Sequence, residues 1–187
     1  KTGTNQNLLT EDDIGFTIAP RINAASRMDI PMEGFNIFAT TDEIEADRLA
    51  THLHTLNDNR KTNVATIMRE IHGELRGREL PPVVVIGNNT WSPGVLGRVA
   101  NKILETYNRP AFVWGKGEES EYIKGSCRSD GTVNIVDLML ATKSDVFLHV
   151  GGHELSGGFS LLTENIHSLE NEVLSAYEKV KRQEQIL

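Results

Sequence analysis

The chain has 187 residues, a net charge of −7, and 39% hydrophobic and 24% charged residues, the balance of an ordinary globular protein. Acidic residues outnumber basic ones on both sides of Pro81, which excludes a surface that attracts nucleic acid as a whole; a polyanion must be held by a local patch. The single cysteine, Cys127, excludes an intrachain disulfide and suits a reducing compartment. With neither a transmembrane run nor a secretory signal in view, the expectation is a cytoplasmic protein with no membrane attachment. The first residue is Lys1, not Met, so a piece of a longer protein is expected.

Lys1 to Asp13 reads as a loop, with Thr10-Glu11-Asp12-Asp13 a helix start. The stretch Ile14 to Met28 is densely apolar yet contains Pro20, Arg21, Asn23 and Arg27. A helix from about Pro20 to Met28 sets Asn23 and Arg27 four apart on one face. On spacing alone it is a capped, partly buried helix with solvated arginines. Thr40 as N-cap and Glu43 at the third helical position form a capping box. Apolar residues then recur at Ala46, Leu49, Leu53, Leu56, Val64, Ile67, Met68, Ile71 and Leu75. The period predicts one amphipathic helix from about Asp42 to Arg76, roughly 50 Å long. The polar run Asn57-Asp58-Asn59-Arg60-Lys61 interrupts the stripe, as a solvated face or as a place where polar side chains meet a ligand. Gly73 and Gly77 weaken the end of the helix, and Pro81-Pro82 stops it.

Val83 to Gly87 is a continuous apolar run, the pattern of a strand buried on both faces. Pro93 suits the first position of a helix through about Tyr107, with Val95, Leu96, Val99, Ile103 and Leu104 inward. Arg109-Pro110 breaks it. A second strand follows over Ala111–Trp114, a turn over Gly115–Ser120 and a third strand over Glu121–Ser126. Asn134 caps a helix over Ile135–Ala141, and Glu164–Gln185 forms a closing amphipathic helix. Strands alternating with helices make this an α/β fold.

Gly151-Gly152-His153-Glu154-Leu155-Ser156-Gly157-Gly158 holds four glycines around one histidine, between the apolar runs Val146–Val150 and Phe159–Leu162. The expectation is a strand running into a glycine turn, a short helical turn carrying His153, and a second strand leaving. Exposed N–H groups of such a turn suit an anion. Lys124-Gly125-Ser126-Cys127-Arg128-Ser129 adds a guanidinium and two hydroxyls. Together the two loops read as a phosphate pocket, backbone amides from one and an arginine fork from the other. Each residue also has a plain structural reading. Arg128 would be a surface arginine in a hairpin, His153 a cap on its turn, and Trp91 a packed strand–helix corner instead of a base-stacking platform. Cys127 reads as a packed residue, since no His–Asp arrangement lies near it in sequence. His149 and His153 have the spacing of a helical zinc pair, but Gly151-Gly152 oppose a helix and no further ligands cluster there.

Five segments in order, Ala19-Pro20-Arg21-Ile22-Asn23-Ala24-Ala25-Ser26-Arg27, Leu56-Asn57-Asp58-Asn59-Arg60-Lys61, Trp91 to Ala100, Lys124 to Ser129 and Val150 to Phe159, resemble the C-terminal part of RecJ-type single-stranded-DNA exonucleases of the DHH phosphoesterase superfamily. The resemblance implies a long connecting helix followed by a mixed-sheet DHH-associated domain with flanking helices. Residues 1–41 would be the tail of the catalytic core, 42–80 the connecting helix and 81–187 the substrate-binding domain. It also implies that the DNA strand is gripped between core and associated domain. The Asp-His-His motif is absent, so two divalent ions, manganese or magnesium, are expected in a catalytic domain outside this chain; no metal site is assigned here, and the chain alone is expected not to cut DNA.

Carried over residue by residue, Ser126 and Arg128 match the family's Gly-Ser-x-Arg and would hold the 5′-phosphate. Gly151, Gly152 and His153 match its Gly-Gly-His, giving backbone donors and an imidazole near the scissile phosphate. Arg27, with Asn23 on the same helix face, would be a phosphate or cleft contact, and Trp91, which matches a Trp-His-x-Gly-Val segment, would be a further substrate contact. Ser26, Ser92 and Ser156 depart from the family's usual Gly, His and Ala. Single-stranded DNA is the implied partner, with a helicase or single-strand-binding protein as candidate protein partners in repair and recombination. Two alternatives stay open: a phosphoesterase of short oligonucleotides or cyclic dinucleotides, and a non-catalytic nucleic-acid-binding scaffold on the same fold.

Overall fold

The computed structural model describes residues 3–28, 30–116 and 121–184, and divides into two compact units, 1–65 and 66–187. In the first unit, Thr10 and Asp13 form the helix start expected there. Asp13 N–H donates to Thr10 Oγ1 at 3.3 Å, and Thr10 N–H donates to Asp13 Oδ2 at 3.1 Å. A π-helical segment Asp13–Ile18 leads directly into α1 (Ala19–Arg27), so the expected helix is present. Pro31 opens α2 (Pro31–Ala39), an element the sequence reading left unassigned.

The long helix is α3 (Glu43–Leu75), one uninterrupted run of 33 residues. Its cap differs from the expected one. Asp42 Oδ1 accepts from the N–H groups of Ile44 and Glu45 at 2.8 and 3.3 Å, while Thr40 Oγ1 accepts from Asp42 N–H at 3.2 Å, ahead of the helix. A carboxylate nearest the first free amides wins the position, and it also opposes the positive end of the helix dipole. Ala24, Ala25, Leu53 and Leu56 form this unit's core, flanked by Met28, Ile30 and Ile37. The polar run inside α3 is not simply solvated. Asn57 and Arg60 are 1% and 6% exposed, and Arg60 Nη2 donates to Asn57 Oδ1 at 2.8 Å.

The second unit carries a five-stranded sheet in the order β1-β2-β3-β5-β4, from β1 (Val84–Asn88), β2 (Ala111–Lys116), β3 (Tyr122–Arg128), β4 (His149–His153) and β5 (Ser156–Leu162). Only β1 and β2 are parallel, joined through α4 (Pro93–Tyr107); the other pairs are antiparallel. The α/β expectation with a mixed sheet and flanking helices therefore holds. The third strand runs two residues beyond its expected end, to Arg128. The turn placed at Gly115–Ser120 falls outside the described residues over 117–120, and Gly115 and Lys116 still belong to β2.

Alternation sorts the strands by face. Phe112, Ile123, Cys127, Phe159 and Leu161 point into the main core, where α5 (Ile135–Leu140) and α6 (Ile166–Glu184) cover them with Leu138, Met139, Leu169, Val173 and Ala176. On the opposite face α4 packs over β2 and β3 with Val95, Leu96, Val99 and Ile103 buried. Asn134 caps α5 as expected, its Oδ1 accepting from Val136 and Asp137 N–H.

Two substitutions test this account. Phe112→Ala, at a wholly buried ring, should cost about 3–5 kcal/mol in chemical denaturation. Asp42→Ala, which strips the α3 cap, should cost about 1 kcal/mol.

Candidate nucleic-acid interface

The glycine-rich segment is a hairpin, not a turn. Gly151 and Gly152 lie within β4, His153 is its last residue, and only Glu154-Leu155 turn the chain. The helical turn expected to carry His153 is not formed. The turn's carbonyls face inward and are taken by neighbouring amides. Ser129 N–H donates to Leu155 O at 2.9 Å and Ile135 N–H to Glu154 O at 2.8 Å. These two bonds pin the hairpin tip to the chain that leaves β3. Main-chain donors also arise at the sheet margin. β4 is the sheet's edge and all five of its residues are exposed, so alternate N–H groups face away from β5.

The register brings the sequence-distant residues together. Arg128 of β3 pairs with Ser156 of β5, and Ser156 pairs with His153 of β4. Directly paired residues share a face, so Arg128, Ser156 and His153 stand in one row, about 10 Å across from outer Cα to outer Cα. Ser126, Gly158 and Gly151 form the next row on the same face. Gly152 does not join them. It pairs with Gly157 on the core face, where a side chain on Gly157 would meet Met139, Ile135 and Cys127. Its glycine has a structural cause: φ is +155°, and a Cβ would lie 2.4 Å from Ser156 O.

Arg128 is half-buried and partly preoriented, Nη1 donating to Cys127 O at 2.8 Å. Its seat includes a residue that sequence reasoning missed. A Cβ on Gly97 of α4 would stand 3.1 Å from Arg128 Nη2 and 3.6 Å from Ser126 Oγ. The missing side chain on α4 thus gives the guanidinium and hydroxyl their space. A glycine within a helix costs roughly 1 kcal/mol relative to alanine, a mark the sequence carries, but its contact with Arg128 is seen only in the fold.

Other candidates stand elsewhere. Trp91 is 5% exposed, and its Nε1 donates to Glu70 Oε2 at 2.8 Å. Its main chain packs over Gly115, so the ring is a corner piece and offers no face to a base. Asn23 and Arg27 are exposed on α1, whose buried side carries Ala24 and Ala25. They belong to the first unit, and Arg128 and His153 to the second. Cys127 is buried, and burial pushes its thiol up to about 12, which keeps it protonated and unreactive. Among the described residues no three His, Cys, Asp or Glu side chains gather to hold a metal ion, so no chemical step is assigned to one here. No described helix is long and apolar enough to cross a membrane.

The DHHA1 domain model matches residues 81–179, which contain this whole sheet. The chain belongs to the DHHA1 domain family. It is 32% identical over 162 residues to the single-stranded-DNA-specific exonuclease RecJ of Bacillus subtilis, covering 86% of this chain and 20% of that protein. With RecJ of Thermus thermophilus the identity is 34% over 149 residues, covering 80% of this chain and 21% of that protein. The crystal structure of RecJ from Thermus thermophilus in complex with Mg2+ matches with a TM-score of 0.77 at 31% identity, over 89% of this chain and 26% of that one. A crystal structure of exonuclease RecJ bound to manganese gives 0.76, over 87% of this chain and 40% of that one. The resemblance to the C-terminal part of RecJ-type exonucleases therefore holds over most of the chain, which spans about a fifth of the length of these two curated relatives.

Gly97→Ala should leave the DHHA1 sheet folded while displacing the guanidinium. The expected result is an unchanged or higher melting temperature, with the Arg128 side-chain NMR signals shifted. Cys127 should resist alkylation at pH 8 until the chain is denatured, as followed by mass spectrometry.

Proposed function

We propose that this chain is the substrate-clamping C-terminal part of a RecJ-like exonuclease that digests single-stranded DNA from the 5′ end, in repair and recombination. The observation that carries the reading is the shared row of Arg128, Ser156 and His153, with Ser126 beside it. A guanidinium, a hydroxyl and an imidazole on one face suit a terminal phosphate, which offers several acceptor oxygens. The arginine's fork adds direction to charge. Seizing the end fixes which phosphodiester lies at a given distance from it, so the contribution to rate is positioning.

In this reading residues 1–41 are the tail of a catalytic core, 42–80 the connecting helix and 81–187 the binding domain. Arg27 and Asn23 on α1 are further contacts to the strand. Hydrolysis would belong to a catalytic domain outside this chain, whose two divalent ions would supply an activated water. The chain alone binds and does not cut. The setting is cytoplasmic, and a helicase or single-strand-binding protein would deliver the strand. The separation of interface from overall charge supports the reading, because a chain of net charge −7 must concentrate its affinity in a patch.

Arg128→Ala tests it. In the intact exonuclease the variant should lose at least tenfold in its preference for 5′-phosphorylated over 5′-hydroxyl strands. Affinity for an internal single-stranded stretch should fall much less. Equal loss on both kinds of end would count against end recognition.

A further inference from the structure

The row Arg128–Ser156–His153 is the first of three on one face of the sheet. Two residues along the strands lies Ser126–Gly158–Gly151, and two further lies Lys124–Ser160–His149. The third row repeats the chemistry of the first: a cation on β3, a serine on β5 and a histidine on β4. Lys124 and His149 are exposed, and His149 Nδ1 lies 3.1 Å from Ser160 Oγ. The middle row lacks bulk. A Cβ built on Gly151 would meet nothing within 4 Å, and one on Gly158 only Gly125 O at 3.5 Å. Neighbouring rows are about 7 Å apart and the outer two about 14 Å. The row spacing is on the scale of one nucleotide step in an extended single strand.

We propose that Lys124, Ser160 and His149 form a second phosphate seat. A single strand with its 5′-phosphate on the first row would run along the strand direction, cross the glycine row and rest the phosphate two steps inward on the third. The inference rests on the end-recognition reading and adds the path of the strand and the length that fills it. Lysine suits the inner seat because a bridging phosphodiester needs a point charge more than a directional fork. The glycines of the middle row let sugar and backbone approach the sheet where a side chain would hold them off.

Binding of the chain to 5′-phosphorylated thymidine mono-, di-, tri- and tetranucleotides tests this, with the unaltered protein, Lys124→Gln and Gly151→Val compared at several salt concentrations. The largest gain in affinity should come between dinucleotide and trinucleotide, where the third phosphate first appears. Lys124→Gln should shrink that gain by about tenfold. It should also lower the salt slope for the trinucleotide by about 0.7, the value of one phosphate contact on a single strand. Gly151→Val, which the open space admits, should weaken trinucleotide binding with an unchanged melting temperature. A di-to-trinucleotide gain that survives in Lys124→Gln overturns the second seat. If Arg128→Ala has meanwhile abolished the preference for phosphorylated ends, only the strand path falls; if it has not, the end-recognition reading falls with it.

Discussion

Everything proposed for this chain depends on the register of three neighbouring strands, β3, β5 and β4. Because side chains alternate, a slip of one residue would send Arg128 and His153 to opposite faces and dissolve the row. Two features hold the register. The Phe159 ring lies over Gly125 so closely that a Cβ there would sit 2.0 Å from it. The hairpin tip is tied by main-chain bonds to Ser129 and Ile135, the first of which follows Arg128 directly. The position of the imidazole relative to the guanidinium is therefore set by backbone geometry and core packing, without a direct bond between them.

The same sheet shows how a core serves a surface. Its inward face is apolar, closed by α5 and α6, and takes the lone cysteine into surroundings that suppress its chemistry. The outward face is covered by α4 over β2 and β3. Across this face the residues change from Ala111 and Val113 on β2 to serine, glycine, histidine and the two cations Arg128 and Lys124 on β3, β5 and β4. One sheet thus supplies a packed foundation and a polar platform, and neither has to be built from loops. Side chains on strands are held more firmly than side chains on a loop, which suits a site whose task is to measure position.

The sequence was most informative where local and tertiary preferences agree. Pro93 at the first helical position and the apolar spacing through Ile103 placed α4 at its observed limits, and the long stripe placed α3 to within a residue at each end. It misled where one residue type has two uses. Gly151-Gly152 read as a turn because glycine favours turns, yet here they lie in an edge strand against more glycines of β5. Trp91 read as a contact because of its neighbours in the motif, whereas burial and Glu70 decide its place. Asp42 displaced Thr40 as cap because the choice lies between residues two apart that both cap well. Gly97 was invisible as a site residue. Its role is to be empty beneath a side chain on another element, and only the packed structure brings the two together.

The exposed edge strand has a further consequence for the chain in solution. β4 carries no proline and no lysine, the usual guards against pairing with another strand. Val150 and Leu155 stand 37% and 51% exposed on it and beside it. Against so little steric defence, the net charge of −7 sets mutual repulsion between copies. Repulsion of this kind fades as ionic strength rises and its reach falls to about 8 Å near physiological salt. Concentrated brine would thus weaken the grip on a nucleic-acid ligand and, at the same time, remove the barrier to self-pairing along that margin.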